Sequence, residues 1–364
     1  MTTPRSGPVP VLLAGDEFVL NRLMADELAS VAGTGAWALR TLEFPWPSVA
    51  FGQVAEVDEA AGTEDQMIEA LQGVRVCLTQ LAPLTTRILD ACPDLELFAV
   101  SRGGPVNANL DAATAQGVVV TFAPGRNATA TAEYTIGMML AALRGVADGH
   151  LGVSEGRWEA SRFVFATSGI ELEGTTVGLV GAGAIGARVA RILLGFGARV
   201  LVFDPYAEPA SLPRGVTSVA LDELLSSAQV VSLHARVTPE NRNMIGAAQL
   251  AAMPPGAVLV NCARGALVDH AALADALCDG HLFAAGLDVF DVEPLPADHP
   301  LRRAPNVVMT PHLAGASRQV AGNACRMVAA EADRFRRGEP PLHCANPDVL
   351  AARDGVRGHS GGRR

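Results

Sequence analysis

Short apolar runs alternate with longer amphipathic segments along nearly the whole chain. Strands of a parallel sheet are buried on both faces and read as continuous apolar runs, whereas helices repeat about every 3.6 residues. The alternation therefore predicts an α/β protein built from βα units on parallel sheets. In the first half, strands are predicted at residues 9–14, 37–42, 74–78, 95–100 and 118–122, and helices at residues 19–32, 64–71 and 85–91.

A second βα series follows a long predicted helix at residues 130–147. A further helix is predicted at residues 317–336, after the last strand of that series. Because a right-handed crossover helix connects two consecutive parallel strands, this helix connects no strands of the second sheet. We therefore predict a discontinuous first domain of residues 1–125 and 316–345, a second domain of residues 126–315 and a flexible tail at residues 346–364. Strands of the second series are predicted at residues 176–180, 199–203, 230–233, 258–262, 284–290 and 307–310, whereas residues 44–57 show no regular pattern.

Composition narrows the class of protein. A length of 364 residues with 49% hydrophobic content agrees with two domains that each have a core. The net charge of −10 argues against a nucleic-acid surface. No apolar run approaches the roughly 18 residues of a membrane span, and no signal peptide is apparent. The six cysteines form no CxxC pair, so the sequence predicts no metal site. Their neighbours are mostly apolar, which predicts buried, reduced thiols and a cytoplasmic protein. We expect neither nucleic-acid nor membrane partners.

A glycine-rich turn, Gly181-Ala182-Gly183-Ala184-Ile185-Gly186, lies between a predicted strand and a predicted helix. Gly181 permits the tight turn, Gly183 lets backbone amides approach a pyrophosphate, and Gly186 lets helix and strand pack closely. The N-terminus of the helix adds unpaired N–H donors and partial positive charge. The turn alone is weak evidence, because glycine-rich turns also occur without a ligand.

An acidic residue, Asp204, ends the next predicted strand, 18 residues beyond Gly186. A carboxylate at that position binds the ribose 2′-hydroxyl of a dinucleotide and repels a 2′-phosphate. Acids at strand ends are also common caps. Together with the glycines, Asp204 predicts a site for NAD rather than NADP.

Three later strands are each followed by a polar side chain: Arg264, Glu293 and His312. Because the carboxyl ends of parallel strands border the ligand crevice, the three can converge near the cofactor. An arginine binds a carboxylate through two N–H groups, a histidine exchanges a proton with a hydroxyl or carbonyl, and a glutamate orients the histidine. Each residue alone could be a solvated or capping side chain; jointly they predict hydride transfer between a 2-hydroxy acid and a 2-keto acid.

At these residues the sequence resembles the D-isomer-specific 2-hydroxyacid dehydrogenases, which include phosphoglycerate dehydrogenase and hydroxypyruvate reductase. The resemblance rests on Val260-Asn261-Cys262-Ala263-Arg264-Gly265, Gly286-Leu287-Asp288-Val289-Phe290, Glu293-Pro294 and Pro311-His312-Leu313-Ala314-Gly315. It implies two flavodoxin- or Rossmann-like domains with a cleft between them, a small 2-hydroxy or 2-keto acid substrate, and a homodimer.

The resemblance also implies roles for individual residues. Arg264 would bind the substrate carboxylate and carbonyl, His312 would be the general acid/base and Glu293 its partner. Asp288 would contact the nicotinamide carboxamide, and His234 would lie in a cofactor-contacting loop, although a core or capping role stays open for it. The expected cofactor-binding residues are Gly181, Gly183, Ala184, Ile185, Gly186, Asp204, His234, Ala235, Cys262, Ala263, Asp288 and Gly315, and the expected substrate-binding residues are Arg102, Gly103 and Gly104.

Two questions stay open at the level of sequence. Pro105-Val106, Ala108 and Arg236 depart from the residues usual in the family, so the particular substrate is undetermined. The alternative function is an NAD(H)-sensing interaction protein, because transcriptional corepressors similar to this family keep the fold and the catalytic residues.

Overall fold

Two units, each built on a parallel sheet, make up the chain. The computed structural model describes residues 7–46 and 52–351, apart from the side chain of Pro209. One unit comprises Met1–Asn127 and Ser317–Arg364, and the other comprises Ala128–Ala316. We call them unit 1 and unit 2. No helix among the described residues has both the length and the apolar character needed to cross a membrane.

Unit 1 contains a five-stranded parallel sheet and a short antiparallel hairpin. Its strands are β1 (Val9–Asp16), β2 (Trp37–Phe44), β3 (Gly52–Val54), β4 (Val57–Ala60), β5 (Val76–Thr79), β6 (Leu97–Val100) and β7 (Val119–Thr121). Its helices are α1 (Asn21–Ala32), α2 (Glu64–Leu71), α3 (Thr86–Ala91), α4 (Leu110–Ala115) and, from the end of the chain, α11 (Arg318–Arg336). The sheet order β2-β1-β5-β6-β7 is that of a flavodoxin-like sheet.

The sheet of unit 1 is covered by helices on both faces. Side chains alternate along β1, so Val11 and Leu13 pack with α1 and α11 while Leu12 packs with α2, α3 and α4. Helix α11, from the C-terminal part of the chain, thus packs on the sheet of unit 1, and Val328 lies in its core.

The fold of unit 1 continues beyond residue 345, where the sequence predicts a flexible tail. Asn346 accepts a hydrogen bond from the amide of Val120 at 2.9 Å and donates one to the carbonyl of Val118 at 2.9 Å. Val349 is fully buried. The prediction is wrong for this stretch, because burial and hydrogen bonds to β7 hold it. Residues 352–364 of the predicted tail, and residues 47–51 of the segment without a pattern, lie outside the described residues.

Unit 2 contains a seven-stranded parallel sheet of order β10-β9-β8-β11-β12-β13-β14. Its strands are β8 (Thr176–Val180), β9 (Arg199–Phe203), β10 (Val216–Ser218), β11 (Val230–Leu233), β12 (Ala257–Asn261), β13 (Leu282–Leu287) and β14 (Val307–Met309). Its helices are α5 (Ala128–Arg144), α6 (Val146–Ser154), α7 (Gly186–Gly195), α8 (Leu221–Ser227), α9 (Ala247–Ala252) and α10 (His270–Cys278). This is a Rossmann-type order, in which the chain reverses direction across the sheet between β8 and β11.

Unit 2 differs from the sequence prediction in three places. The predicted helix at residues 130–147 is two helices, because Gly145 adopts a φ of 60° and ends α5. Strand β10 was not predicted. It has only three residues and lies at the edge of the sheet, so it is too short to show the alternation of apolar and polar residues that marks a strand. Strand β13 ends at Leu287 rather than residue 290, so Asp288 begins a loop.

Candidate active site

The glycine-rich turn joins β8 to α7 and lies beside the loop that follows β11. A Cβ atom on Gly181, whose φ is 104°, would meet the backbone of His234 at 2.8 Å. A Cβ atom on Gly186 would lie 2.1 Å from the carbonyl oxygen of Gly181. Both positions therefore require glycine for close backbone packing. Gly183 is different, because a Cβ atom there would meet nothing within 4 Å.

The geometry of this turn is suitable for binding the pyrophosphate of a dinucleotide. Gly183 has open space beside its backbone, and Ala184 and Ile185 lead from it into the first turn of α7. The backbone amides at a helix N-terminus readily donate hydrogen bonds to a phosphate. The crossover point between β8 and β11, where the turn lies, is the usual ligand position in an open α/β sheet.

Asp204 follows β9 and is hydrogen-bonded to the glycine-rich turn. Its Oδ2 accepts the amide of Ala182 at 2.8 Å, and its Oδ1 accepts the amide of Tyr206 at 2.9 Å. The carboxylate is thereby held next to the turn, in the position expected for a ribose-binding acid. Its contact with a cofactor stays a prediction.

His234 lies beneath the turn, followed by Ala235. Burial lowers the pKa of His234 to about 4, so the ring is neutral at physiological pH. Its Nε2 lies 3.0 Å from Oγ of Ser232. These features agree with the core role that the sequence left open, and the cofactor contact stays a prediction.

Arg264 is held by its own loop after β12. The side chain of the buried Asn261 donates to the carbonyl of Arg264 at 2.8 Å and accepts the amide of Ala263 at 3.0 Å. The next residue, Gly265, packs so tightly that a Cβ atom would lie 1.9 Å from the backbone carbon of Phe290. The Arg264 loop therefore contacts the loop that carries Glu293, while the Arg264 side chain is exposed.

His312 and Glu293 form a hydrogen-bonded pair. His312 Nδ1 lies 2.8 Å from Glu293 Oε2, and Glu293 Oε1 accepts the amide of Phe290 at 2.9 Å. The bond to Glu293 raises the pKa of His312 despite opposition from burial and from the charge of Arg264. Burial opposes ionisation of Glu293, but the bonds from His312 and Phe290 outweigh it and lower the pKa of this carboxyl. The pair is therefore an ionised carboxylate orienting a basic imidazole.

Asp288 organises the loop that presents His312. Its fully buried carboxylate accepts hydrogen bonds from the hydroxyl of Thr310 at 2.6 Å and from the amides of Leu313 and Ala314, each at 2.8 Å. Its own carbonyl accepts the amide of His312 at 2.9 Å. These bonds hold His312 at a φ of 55°, which is strained for a residue with a side chain. Asp288 thus positions the loop, and its expected contact with nicotinamide stays a prediction.

The remaining predicted residues fall into two groups. In unit 2, Cys262 is buried, and burial raises the pKa of its thiol to about 12; Gly315 lies in a turn closed by the bond from the amide of Ala316 to the carbonyl of Leu313. In unit 1, Arg102 forms an ion pair with Glu59. Gly103 and Gly104 follow it with open space where a Cβ atom would be.

Within the described part of the chain, one group of side chains has the composition of a metal site: His270, Asp291 and His299, whose ligand atoms lie within 4.8 Å of one another. One hydrogen bond joins two of these residues: His270 Nδ1 lies 2.9 Å from Asp291 Oδ1. His299 Nδ1 accepts a hydrogen bond from the amide of Leu301 at 3.3 Å, and its Nε2 lies 4.0 Å from Asp291 Oδ1. The bond between His270 and Asp291 therefore anchors the segment before Glu293.

Sequence reasoning missed the residues that hold the site together: Asn261, Thr310 and Gly265. Asn261 and Gly265 belong to the segment Val260–Gly265 on which the family resemblance rests, but the sequence did not indicate their structural roles. Thr310 lies at the end of a predicted strand, and nothing local indicates that its hydroxyl bonds to Asp288. Such bonds join residues far apart in the chain.

The pH dependence of activity should report the His312–Glu293 pair. Changing Glu293→Gln removes the largest cause that raises the pKa of His312, so that pKa falls. In its predicted role as general acid, His312 must be protonated to reduce a keto acid, so this activity is lost as pH rises through the pKa of His312. We therefore expect the alkaline limb of the kcat/KM profile to move to lower pH in the variant. An unchanged alkaline limb in stopped-flow NADH oxidation would show that Glu293 does not act on His312.

A glycine-rich turn, an exposed arginine and a hydrogen-bonded histidine–glutamate pair follow strands of one Rossmann-type sheet, an arrangement typical of nicotinamide-dependent oxidoreductases. Residues 136–314 match the family model described as the NAD-binding domain of D-isomer specific 2-hydroxyacid dehydrogenases. The chain is 38% identical over 298 residues to a glyoxylate reductase of Korarchaeum cryptofilum, covering 81% of this chain and 90% of that protein. It belongs to the D-isomer-specific 2-hydroxyacid dehydrogenase family, and its cofactor is NAD.

Other relatives agree with this membership. A D-3-phosphoglycerate dehydrogenase of Mycobacterium tuberculosis is 40% identical over 294 residues, which is 80% of this chain and 54% of that enzyme. The chain thus spans about half the length of this relative. The crystal structure of the TT0316 protein from Thermus thermophilus superposes with a TM-score of 0.75 at 32% identity, covering 92% of this chain and 99% of that one. An apo D-lactate dehydrogenase from Escherichia coli gives a TM-score of 0.72 at 27% identity, covering 92% and 99% of the two chains.

Proposed function

We propose that this protein interconverts a D-2-hydroxy acid and the corresponding 2-keto acid with NAD(H), using Arg264, Glu293 and His312. The observation that carries the proposal is the 2.8 Å bond between His312 and Glu293, at the sheet edge that also bears Arg264. Nicotinamide, when bound, supplies or accepts the hydride. Three of the relatives described above are named as enzymes, and none supports the alternative of an NAD(H)-sensing interaction protein.

The proton in this reaction is carried by His312. Because Glu293 engages Nδ1, Nε2 is the nitrogen that exchanges the proton with substrate. In reduction, protonated His312 donates from Nε2 to the carbonyl oxygen, and Glu293 stabilises the imidazolium beforehand. In oxidation, the neutral ring accepts the hydroxyl proton at the same atom.

We propose a binding role for each of the following residues. Arg264 binds the substrate carboxylate through its guanidinium and polarises the adjacent carbonyl. Arg102, Gly103 and Gly104 are further proposed substrate-binding residues. The cofactor-binding set is Gly181, Gly183, Ala184, Ile185, Gly186, Asp204, His234, Ala235, Cys262, Ala263, Asp288 and Gly315.

We further propose a homodimer in the cytoplasm. Support comes from an apolar segment of unit 2 in which Trp158, Phe163 and Phe165 are 86%, 94% and 98% exposed. Large apolar side chains that are so exposed within one short segment favour contact with another protein surface, here a second copy. Sedimentation equilibrium should give twice the monomer mass, and the triple variant Trp158→Glu, Phe163→Glu, Phe165→Glu should sediment as a monomer. A monomeric unmodified protein at micromolar concentration would contradict the proposal.

The test of the proposed function is NADH oxidation by the purified protein with a panel of 2-keto acids. The panel contains glyoxylate, hydroxypyruvate, phosphohydroxypyruvate, 2-ketoglutarate and branched 2-keto acids, and it is repeated with NADPH. Turnover of at least one compound with NADH is expected, with NADPH much poorer because Asp204 repels the 2′-phosphate. Tight NADH binding without turnover of any compound would favour the sensing alternative.

A further inference from the structure

Arg236 is a charged residue of unit 2 to which neither the fold nor the proposed mechanism assigns a role. It lies in the loop that follows β11, two residues beyond His234. Its side chain is exposed, and within residues 7–46 and 52–351 its guanidinium has neither a hydrogen-bond acceptor nor an ion-pair partner. The N–H donors of this guanidinium can therefore all turn to a ligand.

The backbone of Arg236 is held in place by Asn241, although its side chain is not. The side-chain nitrogen of Asn241 donates to the carbonyl of Arg236 at 2.7 Å, and its oxygen accepts the amide of Thr238 at 2.7 Å. These two bonds close the loop on itself. Only the side chain of Arg236 has to be ordered when a ligand binds, which limits the entropic cost of binding.

The loop that carries Arg236 packs against the glycine-rich turn. Strands β8 and β11 are neighbours in the sheet, so the segments that follow them lie side by side at its carboxyl edge. A Cβ atom on Gly181 would lie 2.8 Å from the backbone carbon of His234 and 3.0 Å from the amide nitrogen of Ala235. Arg236 is the next residue, and one residue of chain spans at most about 3.6 Å. Its long side chain therefore begins close to the turn.

The turn itself offers a pyrophosphate no positive side chain. Gly181–Gly186 contains only glycine, alanine and isoleucine, so its own donors are the backbone amides and the N-terminus of α7. The carboxylate of Asp204 is bonded to this turn, because its Oδ2 accepts the amide of Ala182 at 2.8 Å. A pyrophosphate at the turn would bring its negative charge near that carboxylate. A cation at the same edge would offset the repulsion.

We propose that Arg236 binds the pyrophosphate of NAD(H) and completes the dinucleotide site. The planar guanidinium suits this group, because it donates two parallel hydrogen bonds to adjacent phosphate oxygens. The inference rests on the cofactor-binding part of the proposed function and adds a residue to it. Every residue that it uses belongs to unit 2.

Binding of NADH to the purified protein, without substrate, tests the proposal. Changing Arg236→Gln should raise the Kd for NADH by about 10- to 100-fold, the effect of losing a hydrogen bond to a charged group. Arg236→Lys keeps the charge but not the paired donors, and it should give an intermediate Kd. NADH fluorescence measures all three values. An unchanged Kd in Arg236→Gln would overturn the proposal.

The matched control is Arg191→Gln. Arg191 is an exposed arginine farther along α7, so the variant removes the same charge from the same unit. Because solvent and salt screen charges that make no contact, its Kd for NADH should stay within about threefold of the parent value. An equal loss of affinity in both variants would mean that only the net charge matters, and it would overturn the proposed contact.

Fragments of the cofactor locate the contact. ADP keeps both phosphates and should lose affinity for Arg236→Gln by about the same factor as NADH, whereas adenosine should bind parent and variant equally. Isothermal titration calorimetry measures both ligands. An equal loss for adenosine would overturn the proposal. A loss confined to NADPH would do so too, because it would assign Arg236 to the 2′-phosphate.

These outcomes are distinct from failure of the proposed function. A protein whose Kd for NADH depends on Arg236 but which turns over no 2-keto acid would contradict the proposed function alone. Turnover of a 2-keto acid, with a Kd for NADH that is the same in parent and Arg236→Gln, would overturn this inference alone. Since Arg236 is exposed, the variant should melt at the parent's Tm without ligand, which separates lost binding from misfolding.

Discussion

Changing His312→Asn should lower kcat for reduction of the best 2-keto acid by about 10²- to 10⁴-fold, the range expected for loss of a general acid/base. The Kd for NADH should change little, because His312 lies in the loop after β14, whereas the proposed pyrophosphate site is the glycine-rich turn between β8 and α7. Asparagine is the appropriate replacement, since His312 has a φ of 55° and asparagine tolerates this region better than most residues. Steady-state kinetics and NADH fluorescence titration measure the two quantities.

A matched histidine serves as the control for this variant. His281 precedes β13 at the amino end of the same sheet, and its Nε2 lies 3.0 Å from the carbonyl oxygen of Leu250. His281→Asn should leave kcat within about threefold of the parent, because it touches no reacting group. If His312→Asn lost NADH binding as completely as turnover, His312 would be a structural residue and the proposed acid/base role would be wrong.

Changing Arg264→Gln should lower kcat/KM by about 10²- to 10³-fold, comparable with removal of a donor that stabilises developing charge. The guanidinium is proposed to hold the carboxylate and to polarise the carbonyl, so both KM and kcat should suffer. A second effect follows from electrostatics. The charge of Arg264 lowers the pKa of His312, so its removal should move the alkaline limb of the pH profile to higher pH. The Glu293→Gln variant should move it in the opposite direction.

The two directions make the pH profiles a joint test of the site. Arg264→Lys keeps the charge and should leave the profile near that of the parent, while losing the paired hydrogen bonds. Arg199→Gln, an exposed arginine at the amino end of β9, should change neither parameter. A loss of activity in Arg264→Gln with no movement of the profile would mean that Arg264 lies farther from His312 in the working enzyme than in this structure.

The order of the elements follows from local pattern. Strands β8, β9 and β11 lie where the apolar runs predict them, because strands buried on both faces leave continuous apolar segments. Strand ends were less predictable. The run around residues 284–290 stays apolar to Phe290, but β13 stops at Leu287 because the carboxylate of Asp288 bonds to the loop after β14. The pattern of apolar residues around a strand cannot indicate a hydrogen bond to a loop that lies more than 20 residues away in the sequence.

In the candidate site, too, some features could be predicted from the sequence and others could not. Gly181, Gly183 and Gly186 were interpreted individually from spacing, and the close approaches at Gly181 and Gly186 agree with the two packing roles. The bond between His312 and Glu293 was expected from the order of the strand ends. The supporting roles of Asn261 and Asp288 were not, because each depends on which backbone groups lie opposite a buried polar side chain once the sheet has formed.

By itself, the sequence determined the βα order of both units, the dinucleotide turn with its acid, and the three residues of the proposed chemistry. These are local signals, set by the period of apolar positions and by short motifs. The tertiary structure alone decided that Asp288 holds the His312 loop, and that Asn346 bonds to the backbone of Val120 and Val118. The physical reason is that hydrogen bonding, burial and charge act through space, and residues separated by tens of positions become neighbours only when the sheets assemble.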